Sequence, residues 1–437
     1  MTLVTVGEHA SLTTRHDVRP SLSLGCVSPP AFEHLCRLSE RFQRNGARLL
    51  QFEGTRSLRL GSHVGVIQTP CGTTVEILPK HLDDDGPVAV KAGRALLRRL
   101  IRSMMDMTAR EAGEAALETF TTPLSEWVAS QFLAELDRVV RQGIRFQYRR
   151  VEEEQPTLRG QLDVMAQMRQ PPGRAHLFRI RHDEFSPDRA ENRLVRSAVD
   201  LVRDHSRSPD NWRLAHELGL RLAELPPSAD FEADFRAWSD DRLMAHYQPL
   251  RPWCELLLRH AMPVALRGAA RGLSLLFPME KLFERHVAAC LRRQLDPGCK
   301  LCTPAASRWL CQHGDGPVFR LEPDILVQRG DRQWILDAKW KLLDEAQRSD
   351  KYGLSQADFY QLYAYGQKYL DGAGQMALVY PRTSRLNMPL APFRFSECLH
   401  LHVLPFDLAT DELLGRERLG LPWRVVGGQG AQAARLA

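Results

Sequence analysis

The chain has 437 residues, 43% hydrophobic and 26% charged, with a net charge of +6, which suits two or three domains with real cores and a polyanionic partner. No apolar run approaches the roughly 20 residues of a membrane span, and the first thirty residues lack the apolar core of a signal peptide, which excludes a spanning protein and sets a cytoplasmic expectation. The nine cysteines, an odd number, then read as mostly reduced thiols.

In chain order, residues 1 to about 45 carry the turn formers Arg19-Pro20 and Pro29-Pro30 and one helical stretch, Ala31 to Asn45. Arg48–Glu53, Ser57–Leu60, Val64–Thr69 and Thr74–Leu78 read as strands, the last two joined by a turn at Pro70 to Thr73, and the module closes at Asp83-Asp84-Asp85-Gly86-Pro87. From Val88 the pattern turns helical, with apolar residues at three- and four-residue spacing in Ala92–Asp106, Pro123–Gln142 and Asn192–His205. Gln155–Val164 and Leu177–Ile180 suggest a strand pair, and residues 206–262 continue helical. His182-Asp183-Glu184 reads as polar contacts or a cap rather than a ligand set. Arg141, Arg145, Arg149, Arg150 and Arg159 form a basic stretch, a solvated face or a phosphate contact, with few aromatics interleaved for base stacking.

Met279 to Leu295 is an amphipathic helix. Cys290, Cys299, Cys302 and Cys311, with His313 close behind, form a loose group, but Cys290 sits among core positions of that helix and Cys299-x-x-Cys302 has no second pair, so reduced thiols are the expectation over a bound metal. Leu321 to Lys341 then reads as a β-hairpin turning near Arg329-Gly330-Asp331. Strand alternation puts Asp337 and Lys339 on one face, and the hairpin folds Asp324 back beside Asp337. Two carboxylates and an ammonium at one spot suit a Mg²⁺ site for phosphodiester hydrolysis. Downstream, Ser355–Lys368 is helical with Asp358, Gln361 and Tyr365 on one face, and strands follow at Gln375–Tyr380 and His400–Leu404. The closing Gly, Ala and Gln residues, 426–437, are expected to be disordered.

Pro323-Asp324 followed by Asp337-Ala338-Lys339 resembles the PD-(D/E)xK nuclease superfamily. That resemblance implies a C-terminal mixed sheet flanked by helices, and an acidic residue on the preceding helix near the metal: Glu284, with Glu280 one turn earlier as its rival. It also makes Gln361-x-x-x-Tyr365 look like an accessory Q-x-x-x-Y motif; the alternative is an aromatic stripe packing on the sheet. Val64-Gly65-Val66-Ile67-Gln68-Thr69-Pro70 and Gly72 to Lys80 are similar to the N-terminal signature of the McrC family, nuclease subunits of McrBC modification-dependent restriction systems. Arg141–Tyr148, Leu158–Asp163, Asp183–Ser186 and Asn192-Arg193 extend the likeness over most of residues 45–405.

The expected architecture is α+β: a β-rich module over 1–87 for partner docking, a mostly helical region over 88–265, a nuclease domain over 266–425 and a disordered tail over 426–437. The McrC resemblance implies an endonuclease subunit that docks on a McrB-like AAA+ GTPase hexamer, stimulates it and cuts double-stranded, methylcytosine-bearing DNA. GTP would be bound by the partner, since no G-x-x-x-x-G-K-[ST] loop occurs here. Under that reading Asp324 and Asp337 hold Mg²⁺ with help from Glu284, Lys339 positions or activates water, and Gln361 and Tyr365 orient the site or the DNA. Two other readings stay open, a repair or recombination nuclease working without a GTPase and a non-catalytic adaptor of an AAA+ ring. Nothing in the sequence names the modified base, the stoichiometry or the residues that touch the motor.

Overall fold

The computed structural model describes residues 2–15, 17–44, 49–54, 56–80, 86–105, 123–174, 176–259, 274–303 and 308–424. Most of the expected linker at 83–87 and all of the expected disordered tail at 426–437 lie outside them. The architecture is mixed α+β. The first half runs β1 (Leu3–Gly7), β2 (Ser11–Thr13), β3 (Leu24–Cys26), α1 (Pro29–Arg44), β4 (Leu50–Phe52), β5 (Ser57–Leu60), β6 (His63–Gln68), β7 (Thr74–Leu78), α2 (Pro87–Met104) and α3 (Leu124–Gln142). It continues through β8 (Gln147–Gln155), β9 (Gln161–Leu162), α4 (Val164–Met168), β10 (Phe178–Ser186), α5 (Ala190–His205), α6 (Pro209–Arg221), α7 (Phe231–Ala237) and α8 (Arg251–Leu258). The second half is β11 (Leu275–Pro278), α9 (Met279–Gln294), β12 (Lys300–Cys302), β13 (Arg308–His313), β14 (Gly316–Leu321), β15 (Ile325–Arg329), β16 (Arg332–Ala338), α10 (Gln356–Tyr369), β17 (Gly374–Pro381), β18 (Phe393–Arg394), β19 (Leu399–Asp407) and β20 (Glu412–Leu413).

The N-terminal strands form two sheets, in the orders β1-β7-β6-β11 and β3-β2-β5-β4. Val4, Val6, Leu12, Leu58, Ile67, Val75 and Ile77 meet between them with Leu35 of α1. Where the sequence offers only turn formers and a helix, three short strands lie before residue 27. Runs of three to five residues, interrupted by turns, are too short for a period to stand out. The β6–β7 hairpin follows the quoted motif, its turn fixed by the Thr69 amide bonding to the Thr73 carbonyl at 2.9 Å.

Strand β11 comes from far along the chain and pairs antiparallel with β6, Leu275 opposite Val66 and Phe277 opposite Val64. The segment expected to open the C-terminal domain thus finishes the N-terminal sheet, and the amide of Met279, first residue of α9, bonds the Ser62 carbonyl at 2.9 Å. Helices α2, α3, α5 and α8 share one continuous apolar core with α9 and with one face of the C-terminal sheet. That sheet runs β12-β15-β16-β17-β19-β18, with β15–β16 antiparallel and β16–β17–β19 parallel. Ile325, Val327, Leu336, Ala377 and Val379 pack toward α9. Leu326, Ile335, Met376 and Leu378 pack toward Leu362, Tyr365 and Tyr369 of α10. Strand alternation therefore places the two helices on opposite faces. Between β12 and β15 the exposed β13–β14 hairpin, absent from the sequence reading, forms a separate ribbon.

Gly65 makes the β6–β11 union possible. Its φ is +131°, and a Cβ there would lie 1.9 Å from the Leu275 carbonyl oxygen. Both the backbone angle and the close approach exclude a side chain. Gly65→Ala is expected to destabilise the chain by about 3 kcal/mol, read as a lowered denaturation midpoint; an unchanged midpoint would mean that β11 does not hold to β6.

Candidate active site

Register builds the site. β15 and β16 pair Ile325 with Leu336 and Leu326 with Ile335, turning at Gly330-Asp331, so the next step of the ladder sets Asp324 across from Asp337. Asp337 is wholly buried, and Asp324 Oδ2 accepts the Ala338 amide at 3.0 Å. The Lys339 ammonium lies 2.5 Å from Asp337 Oδ2. Its own amide bonds the Val379 carbonyl at 2.9 Å, continuing the parallel ladder to β17 past the end of β16. The hairpin thus brings Asp324, Asp337 and Lys339 together as the sequence pattern anticipates.

Electrostatically the site is overloaded with carboxylate. Burial, then the neighbouring Asp337 and Glu284, push the Asp324 pKa up to about 7. Burial likewise raises Asp337, opposed by Lys339, with Asp358 and Glu284 adding to the rise. Burial disfavours the Lys339 ammonium, but Asp337 and Asp324 outweigh it and the pKa goes up. Lys339 is therefore a cation that donates hydrogen bonds, not a neutral base.

The donor set fits a hard divalent cation. Oδ2 of the buried Asp337 carboxylate faces the Lys339 ammonium, while its Oδ1 has no hydrogen-bond partner among the described residues, although such groups are normally satisfied. Asp337 and Asp324 would hold such a cation, whose charge would relieve the repulsion between them. Glu284 sits on α9 near enough to raise Asp324, yet its carboxylate is held by Lys281 at 2.6 Å. Asp324, Asp337 and Glu284 do not form a group of three whose donor atoms close to within 4.8 Å of one another. Glu280, its rival, faces the N-terminal module instead: burial raises the Glu8 pKa and Glu280 adds to the rise, while at His9 burial lowers the pKa and Glu280 opposes it.

Gln361 and Tyr365 pin the approach to Asp324. Gln361 Nε2 donates to the Tyr365 hydroxyl at 2.7 Å, which donates to the Glu322 carbonyl at 3.0 Å; one turn on, the Tyr369 hydroxyl donates to the Leu321 carbonyl at 2.7 Å. Tyr365 is also core, so the motif reading and the aromatic-stripe reading describe one residue. Burial pushes its pKa up to about 12. Tyr369 escaped the sequence reading; its one-turn spacing from Tyr365 was the available signal.

The cysteines near α9 are free thiols, as expected. Cys299 precedes β12 and Cys302 ends it, both half-buried, and Cys311 is exposed on its separate hairpin. Cys290 instead lies beside His286 and Asp411. His286 shares hydrogen bonds with Asp411 Oδ1 at 2.9 Å and Ser103 Oγ at 2.8 Å, while Arg99 and Arg293 each stand 3.7 Å from the Asp411 carboxylate. Two arginines already neutralise that carboxylate, so the cluster acts as a polar tie between α2, α9 and the turn before β20. His182 contacts Glu153 at 3.4 Å across β8–β10, a polar contact as expected. Of the basic stretch, Arg141 pairs with Asp137 at 2.7 Å and Arg149 with Asp188 at 3.4 Å. The fold adds one aromatic to the two that lie between Arg145 and Arg149: Phe185 of β10 stacks 5.0 Å from Phe146 and lies 5.0 Å from Tyr148, all three exposed.

A two-carboxylate, one-lysine centre at the open end of a mixed sheet defines a candidate metal-assisted hydrolase site. The chain belongs to the family described as McrBC 5-methylcytosine restriction system component, whose profile matches residues 58–381. This bears out the McrC resemblance. Among solved structures it is similar, at 18% identity and a TM-score of 0.65, to a chain of the refined half-complex from the tetradecameric assembly of Thermococcus gammatolerans McrB AAA+ hexamers with bound McrC, covering 93% of this chain and 95% of that one. It is also similar, at 19% identity and a TM-score of 0.51, to a chain of the Thermococcus gammatolerans McrBC complex, covering 67% of this chain and 88% of that one. A comparison with curated proteins finds no match. No helix among the described residues is long and apolar enough to cross a membrane.

The Asp324 shift fixes a pH dependence. Its folded pKa of about 7 stands above the ordinary 3.8, so between those values the folded state holds more proton than the unfolded one, and stability falls as pH rises. In chelator, wild type should lose roughly 2 kcal/mol relative to Asp324→Asn between pH 4 and 7. Denaturant titrations at several pH values check this; parallel curves for the two proteins would refute the buried-carboxylate account.

Proposed function

We propose that this chain is the DNA-cutting subunit of a modification-dependent restriction complex, working with a McrB-like AAA+ GTPase ring on methylcytosine-bearing double-stranded DNA. Its C-terminal region, on this reading, is a PD-(D/E)xK nuclease domain. The observation that carries the proposal is the in-register Asp324 and Asp337 pair with Lys339 at ion-pair distance, in a chain of the 5-methylcytosine restriction family. The αβββαβ order of α9, β12, β15, β16, α10 and β17 supports it.

Asp324 and Asp337 would hold Mg²⁺, with Glu284 close by; the ion supplies charge neutralisation at the phosphate and a more acidic bound water. Lys339, kept protonated by its carboxylate neighbours, donates to the attacking water or a non-bridging phosphate oxygen and stabilises charge as it develops. Gln361 and Tyr365 hold the strand that carries Asp324 through the Glu322 carbonyl. The N-terminal module would dock on the motor, which binds the GTP.

The test incubates the chain with methylated or unmethylated plasmid, Mg²⁺ and GTP, with and without the AAA+ partner. Cutting is expected only of methylated DNA with partner and GTP. Asp337→Ala and Lys339→Ala should each lower it roughly a hundredfold or more while leaving GTPase stimulation intact. Cutting by the chain alone would favour an autonomous repair nuclease, and stimulated GTPase with no cutting by wild type would leave an adaptor.

A further inference from the structure

Trp340, the residue after Lys339, is gripped from two directions. Its indole Nε1 donates to Glu8 Oε1 at 2.6 Å, and its ring lies 5.3 Å from that of Phe283, the neighbour of Glu284 on α9. Glu8 belongs to the N-terminal module, in the turn after β1, and is 2% exposed. The same Oε1 accepts the Lys80 amide at 3.0 Å, just past β7, and the Glu8 amide donates to the Leu78 carbonyl at 2.9 Å. Glu8 is thus fixed to both β1 and β7, while its Oε2 is buried without a hydrogen bond among the described residues. A buried carboxylate is costly unless its partners need it. Here the partners are the Lys80 amide and the indole N–H of a tryptophan, the residue directly after Lys339.

The rest of the contact supports a mechanical link. The Met279 amide bonds Ser62 of the same module, so the start of α9 and the exit of the catalytic strand both rest on the N-terminal sheets. The Lys341 side chain reaches the Gly353 carbonyl, and the Lys341 amide bonds the Lys339 carbonyl at 3.0 Å. Trp340 is the one residue of this exit that reaches back to the module by a side-chain hydrogen bond among the described residues.

We propose that Glu8 is a positioning residue for DNA cleavage: by holding the Trp340 indole it sets the strand exit that places the Lys339 ammonium on Asp337, and so couples the state of the N-terminal module to the cutting site. The inference rests on the nuclease reading above. A motor that shifts the module shifts the Glu8 anchor, and the lysine follows through one peptide and one hydrogen bond. Sub-ångström changes in such a group are enough to alter turnover.

The test uses the full chain with its AAA+ partner, methylated plasmid, Mg²⁺ and GTP, comparing wild type, Glu8→Ala, Glu8→Gln, Trp340→Phe and the Glu8→Ala/Trp340→Phe double variant. Glu8→Ala and Trp340→Phe should each lower the maximal cutting rate about tenfold, with the DNA concentration for half-maximal rate and the GTPase stimulation unchanged. Glu8→Gln, which keeps the acceptor oxygen, should retain most of the rate, and the double variant should be no slower than the slower single. Wild-type rates in both single variants, multiplicative losses in the double, or loss of GTPase stimulation along with cutting in the conservative Trp340→Phe would each overturn the inference. Failure of wild type itself to cut, with GTPase stimulation present, would instead sink the nuclease reading.

Discussion

Two carboxylates opposed across one hairpin are the constraint around which the C-terminal half is arranged. A ladder that pairs Ile325 with Leu336 has no choice but to set Asp324 opposite Asp337, in a place where both are withdrawn from water. Left alone that arrangement is unfavourable, since each charge raises the cost of the other. Its persistence is bought by apolar packing on both faces of the sheet, α9 on one and α10 on the other. Lys339 offsets part of the repulsion at Asp337 Oδ2 and Ala338 gives Asp324 one hydrogen bond, but Asp337 Oδ1 has no hydrogen-bond partner among the described residues.

The supporting shell is built from backbone carbonyls as much as from side chains. Tyr365 and Tyr369 of α10 clamp the carbonyls of Glu322 and Leu321, so the segment entering the site hangs from the helix below it. On the other side α9 begins on a hydrogen bond to Ser62, and Trp340 leaves the site toward Glu8. The geometry of the charged centre therefore depends on segments at both ends of the chain.

The centre itself was legible because its information is local. Strand alternation and a two-residue turn settle which side chains meet, and the helix period settles Gln361 against Tyr365. The long helices α2, α3, α5, α9 and α10 fell within a few residues of their periodic patterns for the same reason. What stayed hidden depends on contacts between distant segments. Strands β1 to β3 are too short to show a period, and β13 is exposed throughout while β14 half-buries only Gly316, Val318 and Leu321, so no apolar alternation marks the ribbon. The Glu8–Trp340 bond joins residues at opposite ends of the sequence, and no spacing rule reaches that far. Cys290 is a buried thiol of α9 as its core position in the helix suggests, but its companions include Asp411, which no spacing in the sequence brings near.

The pairing of β11 with β6 also bears on how the chain is made. Synthesis delivers the N-terminal strands long before Leu275 to Pro278, and until those residues emerge β6 presents an open edge to the surroundings. The N-terminal sheet cannot close during the early part of translation; its last strand arrives only after the helical middle has been made. A nascent chain halted before that point carries an unfinished sheet, and α9, whose first amide rests on Ser62, has nothing to follow. Completion of the N-terminal sheet and the start of the segment that carries the charged centre are thus one event in the life of the chain.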